Sequence, residues 1–164
     1  MDWIKMKKFT EFTELQETLN NPYPATLVKD GRQGYRASVK LDDGGQLNVN
    51  IEGDEHIDDD DYIDWEISFE RNGEQKVTGE GDALRIMATV MKMITQFIKM
   101  ENPKYMHLSA AKDKSVKKTG LQGRERLYGR LVKKAVGNKY RVHSDTDSSG
   151  TIWYIKRKGA QGAW

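Results

Sequence analysis

Three successive stretches alternate apolar and polar residues with a period of two. Residues 35–41 set Tyr35, Ala37, Val39 and Leu41 against Arg36, Ser38 and Lys40. Residues 46–51 alternate through Leu47, Val49 and Ile51, and residues 62–71 set Ile63, Trp65, Ile67 and Phe69 against Asp64, Glu66, Ser68 and Glu70. Neighbouring side chains of a strand point to opposite faces, so this pattern demands a sheet with one buried face and one wet face. The tetrapeptide Asp42-Asp43-Gly44-Gly45 joins the first two stretches as a hairpin. Asn72-Gly73 is the strongest short turn signal and predicts a returning strand over 75–78.

Around this meander the period changes to that of helices. Residues 82–100 carry Ala83, Ile86, Met87, Val90, Met91, Met93, Ile94, Phe97 and Ile98, a stripe wide enough to lie across a sheet. Asp82 is the expected N-cap, and Asn102-Pro103 the stop. A second helix is expected over 124–136, burying Leu127, Tyr128, Leu131, Val132 and Ala135, with Gly137-Asn138 closing it. Between them 105–109 reads as a short strand and 111–123 as a mobile loop rich in lysine and glycine. A terminal hairpin over 140–144 and 151–157 follows. Phe9, Phe12, Leu15 and Leu19 predict an amphipathic helix within residues 1–20. Residues 21–34 read as a connector, 35–158 as one domain and 159–164 as a tail. The expected fold class is α+β (mixed α/β): a central, mostly antiparallel sheet with two late helices packed on it and an N-terminal amphipathic helix.

The net charge is only +2, yet charge is segregated. From Glu52 to Asp64 there are eight acidic residues and no basic one; from Lys112 to Arg141 there are eleven basic residues and two acidic ones. The acidic run reads as a solvated loop. It lacks the alternating ligands, glycine and distal glutamate of an EF-hand. The basic run is either a solvated helix face and loop or a surface for nucleic acid, an acidic protein or a phosphate-bearing ligand. Nucleic-acid binding through Lys112, Lys114, Lys117, Lys118 and Arg124 would rest on charge alone, because no aromatic residues interleave with them. The absence of cysteine removes disulfides, thiolate metal sites and cysteine nucleophiles from consideration. No two histidines fall at ligand spacing, so no metal site is expected. No apolar run is long enough for a transmembrane helix, and the N-terminus lacks a signal-peptide core, so neither membrane insertion nor secretion by a signal peptide is expected.

The meander–helix–strand–helix–hairpin order over roughly 35–157 resembles the GNAT (acyl-CoA N-acyltransferase) superfamily. Lys76-Val77-Thr78-Gly79-Glu80-Gly81, ahead of the 82–100 helix, is similar to that family's pyrophosphate loop, whose backbone N–H groups hold the cofactor at a helix N-terminus. Arg126-Leu127-Tyr128 resembles the element whose tyrosine protonates the leaving thiolate. The resemblance implies acetyl-CoA as cofactor, with Lys76, Gly79 and Gly81 binding it, Tyr128 as general acid and Glu66 as a base. Lys76 departs from the family's arginine or glutamine. Phe9, Phe12, Trp65, Phe69, the run from Thr78 to Ala83 and Arg126-Leu127-Tyr128 also resemble a family of small phage-encoded proteins that look like GNAT relatives. That implies a viral protein of the host cytoplasm or virion, with a virion or host protein as partner.

The residues themselves leave alternatives open. Glu80 and Asp82 would each repel a nearby unit negative charge by roughly 0.7–2.8 kcal/mol, against about 0.3–1 kcal/mol of attraction from a helix N-terminus. Gly79, Gly81 and Asp82 equally fit an ordinary strand-to-helix turn with its cap. Glu66 equally fits a solvated strand position, and Tyr128 a core position. His107 falls on the face opposite Met106 and Leu108, as a base or as a hydrogen-bonded structural histidine. Three functions therefore stand: acyl transfer to an amine, a non-catalytic GNAT-like virion or host-interaction module, or nucleic-acid binding through the basic 112–141 segment.

Overall fold

The computed structural model describes residues 21–56, 62–72, 83–111 and 118–160. Seven strands form one sheet in the order β1-β2-β3-β4-β5-β7-β6. They are β1 (Val28–Lys29), β2 (Gly34–Lys40), β3 (Gln46–His56), β4 (Tyr62–Arg71), β5 (Tyr105–Ala111), β6 (Tyr140–Thr146) and β7 (Gly150–Arg157). Two helices, α1 (Ala83–Glu101) and α2 (Lys118–Val136), lie before and after β5. Every neighbouring pair is antiparallel except β4 and β5, which are parallel and are joined through α1, as a parallel pair requires. The α+β architecture is therefore observed, with a mostly antiparallel sheet and two late helices. The amphipathic helix expected within 1–20 and the returning strand over 75–78 lie outside the described residues. No helix among the described residues is long and apolar enough to cross a membrane.

The alternation sets the sheet's two faces. Tyr35, Ala37, Leu47, Val49, Ile51, Trp65, Ile67, Phe69, Met106, Leu108, Trp153 and Ile155 are all buried, and both helices pack on that side. Gly53 stands opposite Trp65 in the β3–β4 register. A Cβ there would lie 2.8 Å from Ile63 Cγ2 and 3.0 Å from Trp65 Cζ3, so glycine makes room for the indole. That indole meets Phe97 of α1 edge-to-face, with ring centroids 4.8 Å apart, an arrangement aromatic pairs favour.

α1 is buried almost all round: residues 86–91 are consecutively buried, where a stripe on one face was expected. The extra cover comes from the stretch expected as a connector. Tyr23, Ala25 and Leu27 are buried in the core, and Val28 and Lys29 add β1 to the sheet edge. Thr89, itself fully buried, holds this stretch down. Its hydroxyl accepts from the Tyr23 N–H at 2.9 Å and donates to the Arg85 carbonyl at 2.8 Å. The Arg85 guanidinium lies 3.8 Å above the Tyr23 ring and donates to the Asn21 carbonyl.

Two further expectations are corrected. Strand β3 runs on to His56, so Glu52, Asp54 and Glu55 lie in a strand, not in a solvated loop, while Asp64 lies in β4 as the alternation over 62–71 predicts. Continued cross-strand pairing, Glu52 with Glu66 and Asp54 with Asp64, outweighs the low strand propensity of acidic residues. α2 begins at Lys118, inside the stretch expected to be a mobile loop. Gly120 and Gly123 hid it, because glycine weakens a helix by only about 1 kcal/mol each and does not break its backbone ladder. At its other end Gly137 has φ +72°, a left-handed stop that glycine takes without strain, and its N–H closes on the Lys133 carbonyl.

Candidate active site

The two parallel strands share only four paired positions, Asp64–Tyr105 through Ile67–Leu108. Beyond them the strands part. Residues 68–71 stay paired to β3, and residues 109–111 stay paired to β7. The facing edges of these segments are left unpaired with each other at the carboxyl ends of the strands. In open sheets this end of a parallel pair is where ligands bind, because loops and unpaired backbone groups gather there. Residues 73–82 and 112–117 leave from these two strand ends; they lie outside the described residues, and with them the candidate cofactor residues Lys76, Gly79 and Gly81.

Just before the parting, Glu66 faces His107 across the ladder. Both stand on the polar face, alternating with buried Trp65 and Ile67 and with buried Met106 and Leu108. His107 Nδ1 lies 3.2 Å from Asp64 Oδ1, on the same face. The Asp64 contact raises the imidazole above its ordinary range. Partial burial opposes this, and the Asp64 and Glu66 charges add to the rise. On the far side Tyr154 of β7 pairs with His107 in register, with ring centroids 6.4 Å apart. Tyr62 and Tyr105 pack at 4.5 Å beside Asp64.

The same face carries Glu52 opposite Glu66 and Asp54 opposite Asp64. Glu52, Asp54 and Glu66 are exposed. Like charges directly opposite on a sheet are unfavourable, so this arrangement costs stability and makes a strongly negative surface around one imidazole. Among the described residues no cluster has the make-up of a metal site.

Tyr128 does not join this group. It is half-buried on α2, packed against the core on the helix-covered side, while Glu66 stands on the opposite, open side. Of the proposed nucleic-acid contacts, Lys112, Lys114 and Lys117 lie outside the described residues. Reading the sequence singled out Glu66 and His107 but not Asp64 or Tyr154. The alternation placed Asp64 on the right face. Its pairing with His107 depends on the parallel β4–β5 register, which spans an intervening helix and leaves no local signal.

No family model matches the chain, and no curated protein matches it in sequence.

Proposed function

We propose that this chain is a GNAT-like acyl-CoA-binding protein that transfers an acyl group, acetyl in the simplest case, to an amine. The observation that supports it is the parting of β4 and β5 immediately beyond Glu66 and His107. The extended arm of an acyl-CoA carries amide N–H and C=O groups. It fits an opening of this kind because it can pair with the edge of residues 68–71 that faces away from β3, which has no strand partner among the described residues, as an added strand does.

The chemistry follows from the face around the opening. Amines arrive as ammonium ions, and Glu52, Asp54, Asp64 and Glu66 attract them. Neutral His107 or Glu66 takes a proton, directly or through one water, and leaves a free amine. Its lone pair forms the C–N bond at the thioester carbonyl, the C–S bond breaks to release a thiolate, and the nitrogen sheds its surplus proton to solvent to leave the neutral amide. That thiolate must gain a proton. Tyr128 can supply it only to a sulfur threaded through the opening to the helix-covered side, because that is where Tyr128 packs. Asp64 acts as a positioning residue that orients the imidazole.

Thermal melting with acetyl-CoA tests the reading. A ligand at 100 times its Kd adds about 2.7 kcal/mol, so the midpoint should rise. An unchanged midpoint at millimolar acetyl-CoA sinks the proposal. The like-charged Glu52–Glu66 and Asp54–Asp64 pairs, exposed except at half-buried Asp64, favour a second reading, a non-catalytic module whose virion or host partner is basic. Partner capture that is lost with Glu52→Gln and Asp54→Asn, together with a flat acetyl-CoA melt, would select it.

A further inference from the structure

A groove of about 480 Å³ lies between α2 and the β6–β7 hairpin. Its wall is one stripe of α2: Arg126, Gly129, Arg130 and Lys133, spaced so that they share a helix face. Its floor is the helix-side face of the hairpin, where Ser144 pairs with Trp153 and Thr146 with Thr151.

Among the described residues the lining is mostly side chains that donate hydrogen bonds, with Val142 beside them, and it contains no carboxylate. Arg126, Arg130 and Lys133 are exposed, and among the described residues none of the three has a carboxylate partner. The Thr146 and Thr151 hydroxyls lie 3.0 Å apart, so one donates to the other and one O–H remains for a ligand. Trp153 is 98% buried, being 2% exposed, and its indole N–H has no acceptor among the described residues. None of their fully buried side-chain donors is left unpaired, so this N–H opens on the groove. Gly129 of α2 lies beside it. A Cβ there would sit in ordinary contact, 3.5 Å from Trp153 Nε1.

Three cations and several neutral donors facing one cavity suit a ligand with multiple negative oxygens. We infer that this groove binds a phosphate-bearing ligand, with Arg126, Arg130 and Lys133 neutralising its charge and Trp153 and the Thr146–Thr151 hydroxyls fixing its oxygens. The volume is that of a small-molecule site. The phosphate can belong to a free phosphoester or to a nucleic-acid backbone. This inference is independent of acyl-CoA binding at the β4–β5 opening.

The test is titration of the full chain with inorganic pyrophosphate, ADP and a short single-stranded oligonucleotide. Binding is read by calorimetry and by the NMR signal of the Trp153 indole N–H, assigned with Trp153→Phe. At least one probe should bind and shift that signal. Arg126→Gln/Arg130→Gln/Lys133→Gln, an exposed-surface triple variant, should weaken that binding by roughly tenfold or more, the scale of lost charge-assisted contacts. Binding of pyrophosphate or ADP identifies a free phosphoester. Binding of the oligonucleotide alone, steeply salt-dependent, identifies a nucleic-acid backbone. No binding at millimolar probe, no movement of the Trp153 signal, or equal binding by the triple variant overturns the inference.

Discussion

His107 Nδ1 lies 3.2 Å from Asp64 Oδ1 across the parallel β4–β5 pair, and Glu66 is the residue facing His107 in that ladder. Both carboxylates favour the charged form of the imidazole, against partial burial, at the place where the strands part.

The linkage has a definite sign. The raised His107 pKa stabilises the fold fully below the ordinary histidine value of about 6.5, and that contribution is lost as pH rises through the folded value. Asp64→Asn should lower the His107 pKa and shrink this pH dependence. An NMR titration of the imidazole protons measures it, and an unmoved midpoint would contradict the pairing. If His107 is the base, the acyl-transfer rate in the unaltered chain should rise with pH through the same midpoint, and in Asp64→Asn the rise should come at lower pH.

Relief of like charge should separate stability from function. Glu52 and Glu66 face each other on exposed strand positions. Glu52→Gln should stabilise the protein by about 0.2–1 kcal/mol and weaken its attraction for amines. Chemical denaturation measures the first effect, and salt-dependent amine binding the second.

Gly53 has no room for a methyl group. The 2.8 Å and 3.0 Å approaches to Ile63 and Trp65 place any Cβ against a packed indole. Gly53→Ala should cost about 1–3 kcal/mol, with changed tryptophan fluorescence. A neutral effect would show that Trp65 can shift at no cost.

Thr89 replaced by valine keeps its volume but loses its hydroxyl. The Tyr23 N–H would then be buried without its acceptor, costing about 1–3 kcal/mol. Amide exchange should show residues 21–27 opening more readily than the rest of the core. Thr89→Ser, which keeps the oxygen, should restore most of the protection.

Tyr140 ties the start of β6 to the turn after α1. Its hydroxyl donates to the Pro103 carbonyl at 2.9 Å, and burial raises its pKa. Tyr140→Phe should cost about 0.5–1.5 kcal/mol, the net worth of one such bond, and equilibrium unfolding reads it directly.

Strands β2 and β4 were legible because Tyr35 to Val39 and Ile63 to Phe69 alternate with period two, and α1 because Ile86, Val90, Met93 and Phe97 recur with the helical period. These signals are local and need no partner to be read. The same patterns assigned Glu66 and His107 to the side away from the core. Misreadings came where a distant partner outweighed local preference. Glu52 and Asp54 join a strand because β4 extends alongside them, and Tyr23, Ala25 and Leu27 are core because α1 presents Thr89 to the Tyr23 N–H. Residues 118–123 look like a loop because two glycines dilute their helical pattern, yet the helix runs through them. The contact of Asp64 with His107 and the parting of β4 from β5 follow from a register across forty-three residues. So does the meeting of an α2 stripe with the indole of Trp153. Periodicity specifies which face a side chain takes, because backbone geometry imposes it. Which faces meet is decided by packing between segments far apart in the chain, and both the imidazole site and the donor-lined groove exist only at those meetings.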